Sequence, residues 1–115
     1  MARVFVTSSL KKRIIRKFSK NEADEIFCLF FELEKNPFKG KALAHIAEWM
    51  IKELKYGTYR FYFLQRSDNF VKFLTDENLR NEIIKFVEMS KKNNQQEMID
   101  KIKLYLKKKG FDYFT

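Results

Sequence analysis

Residues 49–65 contain two strand-like runs, WMIKELKY and TYRFYFLQ, and Gly57 lies where the first run gives way to the second. Aromatic and β-branched residues favour strands, and a glycine between two such runs favours a tight reversal of the chain. The stretch therefore predicts a β-hairpin whose two loop residues are Gly57 and Thr58.

The register of this hairpin follows from its loop. Residues directly opposite each other share a face of the sheet, so Lys55 is predicted to face Arg60 and Glu53 to face Tyr62. The other face would pack on helices through Leu54, Tyr56, Tyr59, Phe61 and Phe63. The polar face is a candidate functional site. The alternative is ordinary cross-strand ion pairing on a solvent-facing sheet, where an exposed pair contributes about 0–1 kcal/mol.

The N-terminal third is predicted to contain a short strand and two helices. Residues 4–7 are β-branched and aromatic, and Ser8 and Ser9 then offer a helix N-cap. A second helix begins near Asn21 and ends at Asn36–Pro37, since the residue before proline disfavours helical angles. The apolar positions recur at helical spacing, at Leu10, Ile14 and Phe18 and again at Ile26, Phe30 and Leu33. These patterns predict two antiparallel helices.

The C-terminal part is predicted to be mostly helical. Residues 69–74 suit a third strand, while apolar residues return to helical spacing further on, at Leu79, Ile83, Phe86 and Val87 and then at Met98, Ile99, Ile102 and Tyr105. Strand and helix remain alternatives for residues 83–92, and the spacing favours helix.

Together these elements predict an α+β fold in one domain, residues 1–115. An N-terminal helical hairpin would pack on a small antiparallel sheet of three to four strands within residues 1–74. Residues 75–115 would form an extended C-terminal helical tail.

The charge of the chain points to a polyanionic partner. There are 24 Lys and Arg residues against 15 Asp and Glu, a formal net charge of +9, and the first 20 residues hold seven cations and no acid. Such segregation suits nucleic acid, and a solvated lysine-rich surface is the alternative. The candidate contacts in this segment are Lys11, Lys12, Arg13 and Arg16.

Several classes of function find no support in the sequence. There is no glycine-rich phosphate loop and no Cys/His cluster at metal spacing, so neither a metal nor a small-molecule cofactor is predicted. His45 is the only histidine, and Cys28, the only cysteine, is interpreted as a packed thiol in a reducing, cytoplasmic setting. No apolar run approaches the roughly 20 residues of a membrane helix, and no signal peptide is recognisable.

Three stretches resemble the RelE/ParE family of small toxins from toxin–antitoxin pairs: VFVTSSLKKRIIRKF, LEKNPFKGKAL and IKELKYGTYRFYF. They lie within residues 3–66 and include an Asn-Pro-x-x-Gly-x-x-Leu pattern followed by a charged strand, a glycine turn and Tyr-Arg-x-Tyr. The resemblance implies a RelE-like fold and a ribosome-dependent, metal-independent endoribonuclease acting on messenger RNA. It also implies a cognate antitoxin, a small, helical, acidic protein, as partner.

The resemblance also implies a set of catalytic residues. Arg60 matches the arginine of the Tyr-Arg motif, Lys52 and Lys55 occupy the strand that is rich in Lys and Arg, and Glu53 lies where a few members use a glutamate as general base. Metal-free RNA cleavage needs a base for the ribose 2′-hydroxyl, a cation for the phosphorane and help for the leaving 5′-oxygen, roles that suit Glu53, Arg60 and Lys55. Tyr62 is a candidate for stacking or proton donation, beside a structural role.

The chain departs from the family pattern near its C-terminus. The arginine and the tyrosine or histidine that active members carry on the last strand and terminus find no match. Residues 83–102, IIKFVEMSKKNNQQEMIDKI, resemble the Lys-Lys stretch of phage-derived relatives, which makes Lys91 and Lys92 candidate RNA contacts. Two alternatives therefore stay open: a non-catalytic RelE-fold module that binds nucleic acid or protein, and a ParE-like inhibitor of DNA gyrase.

Overall fold

The computed structural model describes residues 2–67 and 71–115. In chain order the elements are β1 (Arg3–Val6), α1 (Ser8–Lys17), α2 (Lys20–Phe31), β2 (Lys41–Ile46), β3 (Trp49–Tyr56), β4 (Tyr59–Arg66), α3 (Asp76–Leu79), β5 (Ile83–Lys91) and α4 (Gln95–Lys109). Single 3₁₀ turns lie at Glu32–Glu34, Lys92–Asn94 and Phe111–Tyr113. The α+β class predicted from the sequence is confirmed.

The strands form one sheet in the order β1-β5-β4-β3-β2. Neighbouring strands are antiparallel except β1 and β5, which pair in parallel from Arg3 with Ile83 to Val6 with Phe86. The sheet thus has five strands where three to four antiparallel ones were predicted. The additional edge strand is β2, whose start at Lys41 follows Lys39-Gly40, two residues that suggest a loop.

Residues 83–91 form strand β5, which corrects the helix favoured by the spacing of their apolar residues. Phe86 packs on one side of the sheet and Val87 on the other. Successive strand residues point to opposite faces, which accounts for Phe86 and Val87. A register shift, in which Tyr62 pairs with Glu88 while Phe63 pairs with Phe86, leaves Val87 as an extra residue and places Met89 on the side of Phe86. Burial on both faces therefore imitates helical spacing, and the predicted helical tail is right only for α3 and from Gln95 onward.

The predicted third strand at residues 69–74 is also not observed in the part that can be described. Residues 69 and 70 lie outside the described ranges, and residues 71–74 contain no strand. The third strand of the antiparallel meander is β5, which follows later in the sequence and pairs with β4.

Helices cover both faces of the sheet. On one face, α1 and α2 pack through Leu10, Ile14, Ile26 and Phe30. On the other, α4 packs through Ile102 and Leu106 against residues that include Ile51, Tyr62 and Leu64. The predicted polar face of the hairpin is the one beneath α4, so Glu53, Arg60 and Tyr62 are buried and only Lys55 is exposed.

The two N-terminal helices begin at side-chain caps. The Thr7 hydroxyl accepts from the Leu10 amide, and Ser19 and Glu22 form a reciprocal capping box at the start of α2. Cys28 is exposed, which corrects its interpretation as a packed thiol. The apolar stripe of α2 points Ile26 and Phe30 into the core, and Cys28 lies off that stripe.

Gly40, in the Asn-Pro-x-x-Gly-x-x-Leu pattern, has a structural reason to be glycine. Its φ is +103°, and a Cβ placed there would lie 2.7 Å from Cζ of Phe63. The loop before β2 therefore passes closely over the ring of Phe63 at Gly40. Within residues 2–67 and 71–115, no helix is long and apolar enough to cross a membrane.

Candidate functional site

The hairpin has the predicted register. Lys55 pairs with Arg60, Glu53 with Tyr62 and Tyr56 with Tyr59, around a loop in which Gly57 has a positive φ of 61°. This part of the prediction is confirmed because a two-residue loop with a left-handed first residue fixes which residues oppose each other.

Glu53, Arg60 and Tyr62 form a buried set that we call the hairpin cluster. Glu53 is 3% exposed and Arg60 7% exposed. Nε of Arg60 lies 3.9 Å from Oε2 of Glu53, and Nη1 donates to the Gly57 carbonyl oxygen at 3.2 Å. On the side of the sheet covered by α4, Nε2 of Gln95 in the first turn of that helix donates to Oε2 of Glu53 at 2.5 Å. The carboxylate is therefore held between a guanidinium and an amide.

Tyr62 cannot act as a stacking surface in this arrangement because it is fully buried. Its hydroxyl lies 2.8 Å from Oγ of Ser90 on β5. Burial raises the pKa of Tyr62 above its ordinary value, an effect that the hydrogen bond with Ser90 opposes. The phenol thus keeps its proton at neutral pH.

Of the two predicted catalytic lysines, Lys52 lies apart from the hairpin cluster and Lys55 lies beside it. Lys52 pairs with Phe63 and so lies on the opposite face of the sheet, where Nζ donates to the Phe38 carbonyl oxygen at 3.3 Å. Lys55 is exposed opposite Arg60 and lines a hollow of about 380 Å³ whose other lining residues include Lys39, Lys41 and Glu53. Of the four predicted catalytic residues, the structure brings only Glu53 and Arg60 into an ion pair.

A second, open site lies between α1 and α4, and we call it the α1–α4 groove. It consists of two adjoining hollows of about 760 and 840 Å³ that share Arg13, Arg16 and Lys101. Its lining cations are Lys12, Arg13, Arg16, Lys17, Lys91 and Lys101, and its lining acids are Glu88 and Glu97. Six cations against two acids give the groove a formal charge of +4.

Glu88 orders the centre of the groove. One of its carboxylate oxygens accepts from Nη1 of Arg13 on α1, and the other accepts from Nζ of Lys101 on α4 at 2.9 Å. Arg13 also donates from Nη2 to the Met89 carbonyl oxygen at 3.2 Å. Glu88 can reach both helices because β1 pairs only with residues 83–86 and leaves the end of β5 uncovered.

The predicted RNA-binding residues divide between these sites. Lys12, Arg13, Arg16 and Lys91 line the α1–α4 groove. Lys11 and Lys92 are exposed but do not line it, and Tyr62 lies in the hairpin cluster instead.

The sequence analysis missed Lys17 and Lys101 as groove residues. Lys17 belongs to the N-terminal run of cations, which was a usable signal. Nothing local indicates that Lys101 lies beside α1, because that contact depends on how α4 crosses the sheet. Among the described residues, no group of three or more His, Cys, Asp or Glu side chains could hold a metal ion.

With this geometry in place, the fold can be compared with known proteins. No family model and no curated protein sequence matches the chain. Among solved structures, the chain is similar to the archaeal RelE–RelB complex from Pyrococcus horikoshii OT3, with a TM-score of 0.58 at 15% identity over 78% of this chain and 93% of that chain. It also matches the isolated E. coli RelE toxin, with a TM-score of 0.48 at 14% identity over 89% of this chain and 99% of that chain. The RelE-like fold implied by the sequence is confirmed.

Proposed function

We propose that the chain is the toxin component of a toxin–antitoxin pair, that it acts in the cytoplasm on messenger RNA at the ribosome, and that it binds RNA in the α1–α4 groove. The observation that carries this proposal is the groove itself, an open surface with six cations and two acids on a RelE-like fold. Cations at this density favour a phosphate backbone, because each neutralised phosphate releases a condensed counterion.

The arginines give the groove more than net charge. The guanidinium fork can donate two parallel hydrogen bonds to phosphate oxygens and stays charged at any physiological pH. Arg13 is already held in position by Glu88 and by the Met89 carbonyl oxygen. A side chain ordered before binding loses less conformational freedom when a phosphate binds.

The finer part of the proposal is metal-independent cleavage by the hairpin cluster. Glu53 would take the proton of a ribose 2′-hydroxyl, and the 2′-oxygen would attack phosphorus while Arg60 neutralises the phosphorane. The 5′-oxygen would leave with a proton from Lys55, which leaves a 2′,3′-cyclic phosphate and a free 5′-hydroxyl. RNA cannot reach Glu53 while Gln95 covers it, so this step requires the first turn of α4 to move away from β3 and β4.

The proposed protein partner is an antitoxin. The structural neighbour from Pyrococcus horikoshii was solved as a RelE–RelB complex, which supports a partner of this kind. The negative charge of a small, helical, acidic protein would complement the positive charge of the α1–α4 groove. Binding of such a protein over the groove would exclude RNA by direct competition.

A second candidate function is a non-catalytic RNA-binding module that keeps the RelE-like fold. The burial and mutual pairing of Glu53 and Arg60 favour it, since a general base must be within hydrogen-bond reach of the proton it removes. The two candidates share the groove and differ only in whether RNA is cut.

The experiment that separates them mixes purified protein with ribosomes and a defined message. Binding is followed by co-sedimentation and cleavage by mapping new transcript ends. The toxin proposal predicts translation-dependent cuts that are lost in Glu53→Gln, while binding without cuts supports the module. If the protein neither binds nor cuts the message, both candidate functions are contradicted. Cleaved supercoiled DNA in a reaction with purified gyrase would support ParE-like action instead.

The matched control for this experiment changes charge outside the groove. Lys12→Gln with Arg16→Gln removes two cations from the groove, and Lys35→Gln with Lys41→Gln removes two exposed cations that do not line it. Only the first pair should weaken co-sedimentation. Equal weakening by both pairs would mean that net charge, and not the groove, binds RNA.

A further inference from the structure

Two stacked tyrosines lie at the end of the α1–α4 groove farthest from the hairpin loop. The rings of Tyr105 and Tyr113 have centroids 5.3 Å apart and an interplanar angle of 9°. Both line the same hollow as Lys12, Arg13 and Lys101. Tyr113 is 49% exposed, so the pair is not a core contact.

The segment that carries Tyr113 is fixed to the sheet. Nζ of Lys85 on β5 donates to the carbonyl oxygens of Phe111 at 3.0 Å and Phe114 at 2.7 Å. The ring of Phe111 stacks on Trp49 at 4.1 Å. Tyr113 is therefore held in a defined position beside the groove even though it follows the last helix.

This end of the groove is separate from the hairpin cluster. Gln95, which covers Glu53, begins α4, and Tyr105 lies ten residues further along the same helix. At a rise of 1.5 Å per residue, the two positions are about 15 Å apart along the helix axis. A ligand on the tyrosines would not touch Glu53 or Arg60.

We propose that Tyr105 and Tyr113 form a stacking platform for one base of single-stranded RNA whose phosphates lie on the cations of α1. The identification of the nucleic acid as RNA rests on the proposed function. Aromatic faces beside a cationic track recognise single strands, because an unpaired base can leave its neighbours and stack on the ring. Bases of a duplex are stacked on each other and cannot do so, which makes the site selective for unpaired RNA.

The test uses the full chain and an eight-nucleotide single-stranded RNA with 2-aminopurine placed at each position in turn. Stacking on an aromatic ring quenches this base, so binding to the unmodified protein should quench one position much more than the others. Equal quenching at every position, or none, would overturn the platform. This measurement needs no variant, so it does not depend on how a substitution affects folding.

Substitutions at Tyr113 then locate the stack. Tyr113→Leu keeps an apolar side chain and should weaken binding of the unmodified RNA by about fivefold to a hundredfold, the range for loss of one base–aromatic stack. Tyr113→Phe keeps the ring and should bind within about twofold of the parent. On RNA that is abasic at the quenched position, parent and Tyr113→Leu should bind equally. A Tyr113→Leu loss that persists on the abasic RNA, or duplex RNA binding as tightly as the single strand, would overturn the proposal.

Failure of the platform and failure of the proposed function give different results. If Lys12→Gln with Arg16→Gln weakens binding while no position is quenched, the groove binds RNA and the platform is wrong. If the RNA does not bind at all, both are wrong. If one position is quenched but ribosome-bound message is neither bound nor cut, the platform stands without the toxin function.

Discussion

The hairpin cluster and the α1–α4 groove use the same kinds of side chain in opposite ways. In the hairpin cluster one carboxylate and one guanidinium lie buried and neutralise each other, under an amide from α4. In the groove six exposed cations outnumber two acids. The hairpin determines that Glu53 and Arg60 lie together. Whether they are exposed to solvent depends on α4, which comes much later in the sequence.

The largest expected effect tests the burial of the hairpin cluster. Arg60→Ala should lower the free energy of unfolding by about 3 kcal/mol, because it leaves the Glu53 carboxylate buried without its cation. This differs from the 0–1 kcal/mol expected of the exposed pair that the sequence alone suggests. Chemical denaturation of both proteins measures the difference.

The control for Arg60 removes both charges. Glu53→Gln with Arg60→Met should recover at least half of the lost stability, since no unpaired charge remains buried. A loss below 1 kcal/mol for Arg60→Ala would mean that the hairpin cluster is effectively hydrated. The contrast between a buried hairpin cluster and an exposed groove would then be wrong.

The next effect concerns the groove. Lys12→Gln with Arg16→Gln should weaken binding of single-stranded RNA by about tenfold to a hundredfold and reduce the slope of log K against log salt by about 1.4 if each side chain neutralises one phosphate. Titrations at several salt concentrations measure both quantities. Arg60→Ala, where it folds, should leave that slope unchanged; a matching change in slope would place RNA on the hairpin cluster.

A smaller effect tests the cover over Glu53. Gln95→Ala removes the amide that donates to the Glu53 carboxylate and should cost about 1–2 kcal/mol of stability, while RNA affinity stays within about twofold. If the chain cuts RNA, the same change should raise the cleavage rate, because the base becomes more accessible. Denaturation, RNA titration and end mapping follow these three quantities, and a fall in RNA affinity would contradict the separation of the two regions.

The smallest effect concerns the hydrogen bond that Tyr56 of the hairpin makes with α2. Tyr56 donates to Oε2 of Glu25 at 2.7 Å, and this hydrogen bond raises the pKa of Tyr56 to about 12. Because the folded-state pKa is raised, the stability from Tyr56 is fully present below pH 10 and is lost as the pH rises toward 12. The difference in denaturation midpoint between the parent and Tyr56→Phe should therefore shrink over that range. A difference that is constant up to pH 12 would show that the hydrogen bond does not matter.

The parts of this structure that depend on local sequence could be predicted, and those that depend on distant packing could not. The hairpin register follows from a two-residue loop, so the sequence was enough to predict that Glu53 lies opposite Tyr62. The burial of the same residues was not, because it depends on Gln95, some 40 positions later. Likewise β5 was interpreted as helix because both its faces are covered, a fact that belongs to the assembled sheet.

Only part of the groove could be predicted from the sequence, for the same reason. Lys12, Arg13 and Arg16 were identified from the run of cations near the N-terminus, and that run does form one wall. The opposite wall, with Lys101, required knowledge of where α4 crosses the sheet. The charge pattern therefore located one wall of the groove and not the other.

The parallel pairing of β1 with β5 joins two strands that the ribosome makes far apart in time. Among the residues that the structure describes, β1 pairs only with β5, and its partner residues lie about 80 positions later in the chain. Such a long loop slows folding, because it must close before the contact forms. Since α1 and α4 form opposite walls, the groove comes into existence only after the ribosome has made residue 101. Each copy can therefore present both walls of the groove only once α4 has been synthesised.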